Sequence, residues 1–262
     1  MDTEQKETGQ NLPPRRAGGG NGVIGGARPI AAANPGRRRR PLVIGIGVVL
    51  VAAAAIVVLT LKNSRADQHQ VDAIAVQRAG GHYSATVSAD GTIVAGPDEA
   101  TTKLDVYEDF LCPVCGRFEK QYGAQIDTAI TVGALQVRYH IVNMLDANSA
   151  PAGYSTRAAN AAIAAAEAGM FADYRTSLFG SQPVEGKSGW TDDQLIDLGR
   201  RLGIRGDRFA RDVTTGAYRN LTTAQFDRVK TLDWYKGTPT VRNGGTTIDV
   251  LGDPQWLDKQ LR

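Results

Sequence analysis

The longest uniform pattern in the chain is Leu42 to Leu61, twenty positions without a charge, which directly follow Arg37, Arg38, Arg39 and Arg40. Coiled as a helix, such a run rises about 30 Å, the thickness of a bilayer's hydrocarbon core. It predicts one transmembrane signal-anchor helix over 42–61. By the positive-inside rule the four Arg keep residues 1–41 in the cytoplasm and export everything after about residue 62. A cleaved signal peptide would need a short leader, a shorter apolar core and an A-x-A-like site, whereas this leader is long and Lys62-Asn63-Ser64-Arg65-Ala66 has no such step. A twin-arginine signal finds only Arg39-Arg40-Pro41-Leu42-Val43 in its favour. Residues 62–80 are polar and read as a linker, with the folded domain expected from 81 to 262.

Beyond Gly81 the pattern changes to short alternating runs. His82–Val87 and Thr92–Ala95 flank Asp90-Gly91, a signal for a hairpin with a two-residue turn. Lys103–Phe110 reads as a strand. Leu135, Val137, Tyr139 and Ile141 alternate with Gln136, Arg138 and His140, which predicts another strand over Leu135–Met144. Between them Gly116–Tyr122 suits a helix.

From Ser155 the period becomes helical. Ser155 is placed to cap an Ala-rich helix reaching Phe179 with a bend at Gly169. Thr191-Asp192-Asp193-Gln194 has the form of a capping box, Leu195, Leu198 and Leu202 follow at helical spacing, and Gly203 closes the helix. One or two further helices fill 207–230. Thr240-Val241 and Thr246–Val250 flank Asn243-Gly244-Gly245 as a second hairpin, and Pro254–Leu261 reads as a short closing helix. The order is strand, helix, strand, helical block, hairpin, helix. It predicts an α/β fold with a helical insertion at about 150–230.

Composition changes the picture mainly at the N-terminus. Residues 1–41 hold 8 Gly and 5 Pro with almost no periodic apolar residues, so they read as a disordered tail. They also carry 8 Lys+Arg against 3 Asp+Glu, which leaves 22 against 24 for the remainder. The basic balance therefore belongs to the tail, and a nucleic-acid-binding body is excluded as the main reading. The preponderance of Arg, 22 against 8 Lys, together with abundant Ala, fits a GC-rich bacterial source.

The candidate chemistry lies in the only two cysteines. Cys112-Pro113-Val114-Cys115 follows the strand ending at Phe110 and opens the next helix. Thiols at i and i+3 on a first helical turn are close enough to form a small disulfide. The first sulfur meets unpaired backbone N–H groups and the positive end of the helix dipole, which favours its thiolate, and Pro113 suits an early helical position where its missing N–H has no partner. Cys112 is expected to be exposed and Cys115 enclosed. A redox-active pair is the leading reading. A structural disulfide, half of a zinc site and two inert buried thiols are the others. The structural disulfide closes too short a loop to constrain the unfolded chain much, and His69, His82 and His140 show no metal-ligand spacing, so no metal is expected.

On these residues the sequence resembles the DsbA-like branch of the thioredoxin superfamily. Tyr107-Glu108-Asp109-Phe110-Leu111-Cys112-Pro113-Val114-Cys115 is similar to that branch's strand-to-active-site junction, Gly237-Thr238-Pro239-Thr240 followed by Asn243-Gly244 is similar to its cis-proline loop, and Glu167-Ala168-Gly169 with Phe171, Tyr174 and Leu178-Phe179 resembles the start of its helical insertion. The resemblance covers about residues 99–252. It implies Cys112 as nucleophile and Cys115 as resolving thiol, Pro113 and Val114 as the active-site dipeptide, and a cis Pro239 facing the disulfide with Thr238 offering backbone groups to an extended substrate. It implies no cofactor. Its substrates would be exported proteins with free thiols or non-native disulfides, and its reoxidising partner a membrane quinone-linked protein. An oxidase is the favoured activity. The alternatives are an isomerase or reductase of the same fold, for which residues 63–98 look too short to supply a dimerisation domain, and a tethered client-binding or redox-sensing module with little turnover. One position departs from the pattern: where members often carry a buried acid, six residues before the first Cys, this chain has Val106. Glu108 and Asp109 stand nearby as substitutes, against the reading that both are solvated.

Overall fold

The computed structural model describes residues 73–262, so the tail, the apolar run 42–61 and the first part of the linker lie outside the described residues. Among the described residues no helix is long and apolar enough to cross a membrane.

Six strands form one sheet: β1 (Ala85–Val87), β2 (Ile93–Ala95), β3 (Thr102–Glu108), β4 (Leu135–Ile141), β5 (Thr240–Asn243) and β6 (Thr246–Ile248), in the order β1-β2-β4-β3-β5-β6. Only β3 and β4 pair in parallel, joined by helix α1 (Pro113–Thr131); the other pairs are antiparallel. The helical block follows as α2 (Tyr154–Glu167), α3 (Phe171–Gly180), α4 (Asp192–Leu202), α5 (Arg208–Thr215) and α6 (Arg219–Val229), and α7 (Trp256–Gln260) closes the chain.

The sheet separates two cores. Leu104, Val106, Val137 and Tyr139 belong to the main one, shared with Phe118, Ile126 and Ile130 of α1 and with the helical block. Tyr107 lies in a smaller one with Val142, Val229 and Tyr235. Helix α2 is buried nearly all round because seven of its residues from Ala158 to Ala166 are alanines, whose small side chains let neighbouring helices close in on every face.

Several local expectations are borne out. Thr191 accepts from the Gln194 N–H and Gln194 reaches back to the Thr191 N–H, which completes the capping box, and Gly203 ends α4 with φ +106°. Gly169, at φ +74°, separates α2 from α3 rather than merely bending one helix. Others need correction. The first hairpin has no two-residue turn: Ser88–Thr92 form a wider loop, held by the Ser88 N–H on the Thr92 carbonyl and by Asp90 Oδ1, which accepts from the Thr92 N–H. Helix α1 is much longer than Gly116–Tyr122, since nothing breaks its apolar face before Gly133, where φ is +79°. Strand β4 stops at Ile141, short of Met144, and its Gln136 is buried because its amide donates to Asp98. Ser155 is no cap. Gly153 precedes α2, and the Ser155 hydroxyl is drawn 2.7 Å from Asp109 instead.

Residues 74–80, assigned to the linker from their polarity, lie against the folded body. Ile74 is fully buried, and the N–H groups of Gln77, Ala79 and Gly80 donate to Ser177, Asp173 and Asp127. Backbone N–H groups make much of this attachment, together with the buried Ile74 side chain and an Arg78–Asp173 pair, and a polar composition does not reveal such contacts.

Candidate active site

The end of β3 and the start of α1 place the two sulfurs. Cys112 is the N-cap of α1 with extended backbone, its N–H donates to the Asp109 carbonyl and its carbonyl receives the Gly116 N–H, and Pro113 follows in the first turn. Cys115 sits within that turn. Both are unbonded thiols. Cys112 is more covered than the expected exposed nucleophile, with 4% of its surface accessible against 1% for Cys115. Val114 is half-buried against the main core.

The loop before β5 closes over the sulfurs. Its Thr238–Pro239 peptide is cis, and the Cys112 thiol donates to the Thr238 carbonyl at 3.3 Å. The Thr240 hydroxyl donates to the Gly237 carbonyl and braces the turn. Thr238 and Pro239 are half-buried, so the loop keeps an open side. Thus Cys112, Pro113, Val114, Cys115, Thr238 and Pro239, separated by up to 127 positions in the chain, meet at one end of the sheet.

The two thiols titrate apart. Cys112 is lowered from 9.0 to about 6, mainly because the Cys115 thiol hydrogen-bonds to it; burial opposes this, and the Thr238 side chain and the backbone N–H groups of Cys115 and Val114 add to it. The Cys115 thiol is pushed well above its ordinary value by burial and by the neighbouring Cys112 sulfur. The Thr238 hydroxyl is buried without a partner among the described residues, and it is placed to donate once a thiolate forms. The arrangement therefore favours the thiolate at Cys112 and the thiol at Cys115.

Two residues outside the sequence expectations complete the site. Gln182, just beyond α3, donates its amide to both the Phe110 and Cys112 carbonyls at 2.9 Å, which clasps the cysteine turn to the helical block. Arg175 of α3 is fully enclosed, forms a two-pronged pair with Glu108 at 2.7 Å and donates to Glu119. Its guanidinium also lies over the Tyr139 ring. An Arg inside the apolar stretch Phe171–Phe179 was the one available signal for it; Gln182 offers none.

Glu108 and Asp109 are both buried, so of the two readings left open the one in which both are solvated does not hold. Glu108 shares a face of β3 with Leu104 and Val106, and Arg175 compensates its charge. Among the described residues Asp109 has no cationic partner; its carboxylate accepts from the Leu111 and Leu145 N–H groups and the Ser155 hydroxyl. His140 is engaged with Asp105 and Thr92 and stacks on Tyr107, and among the described residues no cluster of three or more His, Cys, Asp or Glu side chains could hold a metal.

Residues 88–262 match the family model described as thioredoxin. The reduced disulfide-bond oxidoreductase DsbG of Mycobacterium tuberculosis superposes with a TM-score of 0.58 at 28% identity, over 67% of this chain and 88% of that one. Reduced DsbA of the same organism gives 0.55 at 27%, over 69% and 91%. The thiol-disulfide oxidoreductase MdbA of Corynebacterium diphtheriae gives 0.58 at 25%, over 69% and 94%. The chain is also 35% identical over 183 residues to the serine/threonine-protein kinase PknE of Mycobacterium tuberculosis, a match covering 66% of this chain and 31% of the kinase. It thus spans about a third of the length of the curated relatives it matches.

Proposed function

Since this chain belongs to the thioredoxin family and is a DsbA-like thiol-disulfide oxidoreductase, we propose that it is a membrane-anchored, extracytoplasmic oxidase that forms disulfides in exported proteins through Cys112 and Cys115. The observation that carries this reading is the contrast between the sulfurs: a low Cys112 pKa, about 6, makes its thiolate a good leaving group and stabilises the reduced enzyme, which is the property of an oxidant. A substrate thiolate attacks Cys112 of the Cys112–Cys115 disulfide. The Cys115 sulfur departs and takes a proton, leaving substrate and enzyme joined through Cys112. A second substrate thiolate then attacks the substrate's own sulfur, forming the substrate disulfide and releasing the Cys112 thiolate.

In this reading Thr238 and Pro239 face an extended substrate segment, and the Thr238 hydroxyl receives the developing thiolate. Pro113 and Val114 shape the turn. The anchor over 42–61, with residues 1–41 cytoplasmic, and reoxidation by a membrane quinone-linked partner rest on the sequence pattern and on the resemblance. The test compares oxidation of a reduced, unfolded protein with unscrambling of a mis-bridged one, alongside the glutathione equilibrium of the Cys112/Cys115 pair. Fast oxidation with slow unscrambling supports the oxidase. The opposite order moves the assignment to an isomerase or reductase. Cys115→Ser should accumulate mixed disulfides through Cys112 with exported proteins, and their formation through Cys115 in a Cys112→Ser variant would reverse the assigned roles.

A further inference from the structure

The first described residues are attached to the folded body by a regular ladder. The N–H groups of Ala75, Gln77 and Ala79 donate to Ser181 Oγ at 3.0 Å, Ser177 Oγ at 2.9 Å and Asp173 Oδ1 at 2.9 Å. Alternate residues of an extended chain recur about every 6.7 Å and every fourth residue of a helix about every 6 Å, so the stripe of Asp173, Ser177 and Ser181 matches a chain running antiparallel to α3. Ile74 is fully buried and its carbonyl accepts from Arg201 of α4, while the Gly80 N–H and the Tyr83 hydroxyl donate to the two carboxylate oxygens of Asp127 in α1. Glycines admit the chain: a Cβ on Gly80 would stand 2.6 Å from the Ala124 Cα, and one on Gly81 2.7 Å from the Asp127 carbonyl oxygen. Residues 74–81 are thus a strap across α1, α3 and α4.

The first rung of this ladder lies beside the cysteine turn. Ser181 holds the Ala75 N–H, and the next residue, Gln182, donates its amide to the Phe110 and Cys112 carbonyls. Gly116 leaves space for that amide, since a Cβ there would strike the Gln182 Oε1. The Ser181 carbonyl has a second support in the Trp190 indole N–H at 2.9 Å. The strap also borders a cavity of about 440 Å³ between α1 and α3, lined in part by Gln77, Gly116, Thr176 and Gly180, which gives these helices room to shift when the strap lifts. With only 4% of its surface accessible, Cys112 needs the turn to loosen before another sulfur reaches it.

We propose that the strap holds the cysteine turn closed through its first rung. The Ala75 N–H fixes Ser181, Ser181 places Gln182, and Gln182 keeps the Cys112 carbonyl, and with it the sulfur, under cover. Release of residue 75 opens Cys112 to an attacking sulfur. Because the rung nearest the N-terminus is also the one nearest the cysteines, fraying of the strap from that side breaks the closing contact first. Gln182 is a positioning residue in this device, and the strap governs access to Cys112 rather than its acidity. The inference rests on the proposed redox role of Cys112 and adds a control on how readily it is reached.

The test follows alkylation of Cys112 by iodoacetamide across pH in the reduced full-length chain, for wild type, Ala75→Pro, Gln182→Ala and the double variant. Ala75→Pro deletes the N–H of the first rung and should raise the rate on the alkaline plateau at least about threefold, the effect of losing one ordinary hydrogen bond from the closed form, with the pH midpoint unchanged. In the Gln182→Ala background the same substitution should give no further acceleration, because the clasp through which it acts is gone. An unchanged plateau in Ala75→Pro would overturn the proposal. So would an equal acceleration in both backgrounds, which would mean only a general loss of stability. Ser181→Ala, which removes the acceptor of the same rung, should reproduce the Ala75→Pro result and decides the matter if proline at position 75 prevents folding. The redox reading fails separately: a chain alkylated as expected that never equilibrates with glutathione would refute the exchange chemistry, whereas one that equilibrates but shows no change in alkylation would refute the strap alone.

Discussion

The low pKa of Cys112 carries an energy that should be visible in the stability of the reduced protein. A folded-state value of about 6 against an ordinary 9.0 is a depression of three units, worth about 4 kcal/mol between the two protonation states. The sign follows from proton binding. Between about pH 6 and 9 the unfolded chain holds the Cys112 proton and the folded chain does not, so stability rises with pH across that window. At pH 7 roughly 1.4 kcal/mol of it is present, and below about pH 6 it is gone. Asp109 has the opposite sign, because its carboxyl is raised from 3.8 to about 6 by burial, so between those values the folded chain holds the extra proton and stability falls as pH rises. The reduced protein should therefore be least stable near pH 6, with limbs rising on both sides. Urea unfolding of reduced and oxidised protein from about pH 4 to 9 measures this, with the ultraviolet absorbance of the thiolate as an independent titration. The oxidised protein, having no free thiol, should lack the alkaline limb. A Cys112 titrating at 8 or above, or a reduced protein of constant stability between pH 6 and 9, would refute the reasoning.

The remaining expectations concern the partners of the site. Cys115→Ala removes the donor with the largest influence on Cys112 and should raise the Cys112 pKa by more than a unit, while Cys115→Ser, which keeps a donor, should raise it less; alkylation rate against pH reads both. Gln182→Ala leaves the Phe110 and Cys112 carbonyls without their shared donor and should cost about 1–3 kcal/mol in urea unfolding, with little change in the Cys112 titration. Arg175→Met strands Glu108 and Glu119 in the core and should cost about 3–5 kcal/mol, and combining it with Glu108→Gln and Glu119→Gln should recover much of that loss; a single variant as stable as wild type would disprove the compensation.

What the sequence made legible was local. The capping box at Thr191 and the position of Pro113 behind Cys112 depend on neighbours within a few residues, and each appears in the structure, while the bend expected at Gly169 is a full break between two helices. The hairpin at Gly244 was legible for the same reason, although β5 runs on to Asn243 and β6 stops at Ile248 rather than Val250. The approach of Thr238 to Cys112 was legible only through resemblance, because no local rule links positions so far apart. Ser155, Arg175 and Gln182 show what was missed. Each has an ordinary local reading as a cap, a surface cation or a loop amide, and each is instead committed to a partner on another element. Buried polar groups must find a partner somewhere, but the sequence does not say where. The docking of residues 74–80 escaped notice on the same ground.

The pairing of β5 with β3 sets an order of events in synthesis. The Cys112 thiol meets the Thr238 carbonyl across 126 positions, so a growing chain has both cysteines long before it has the loop that faces them. At about 5–20 residues per second the interval is roughly 6–25 s. During that interval the cysteine turn has neither the Thr238 contact nor the enclosure of the finished fold. The part of the Cys112 thiolate's stabilisation that comes from Thr238 is therefore added last, after the final strands dock, whereas the part that comes from Cys115 lies within the turn itself.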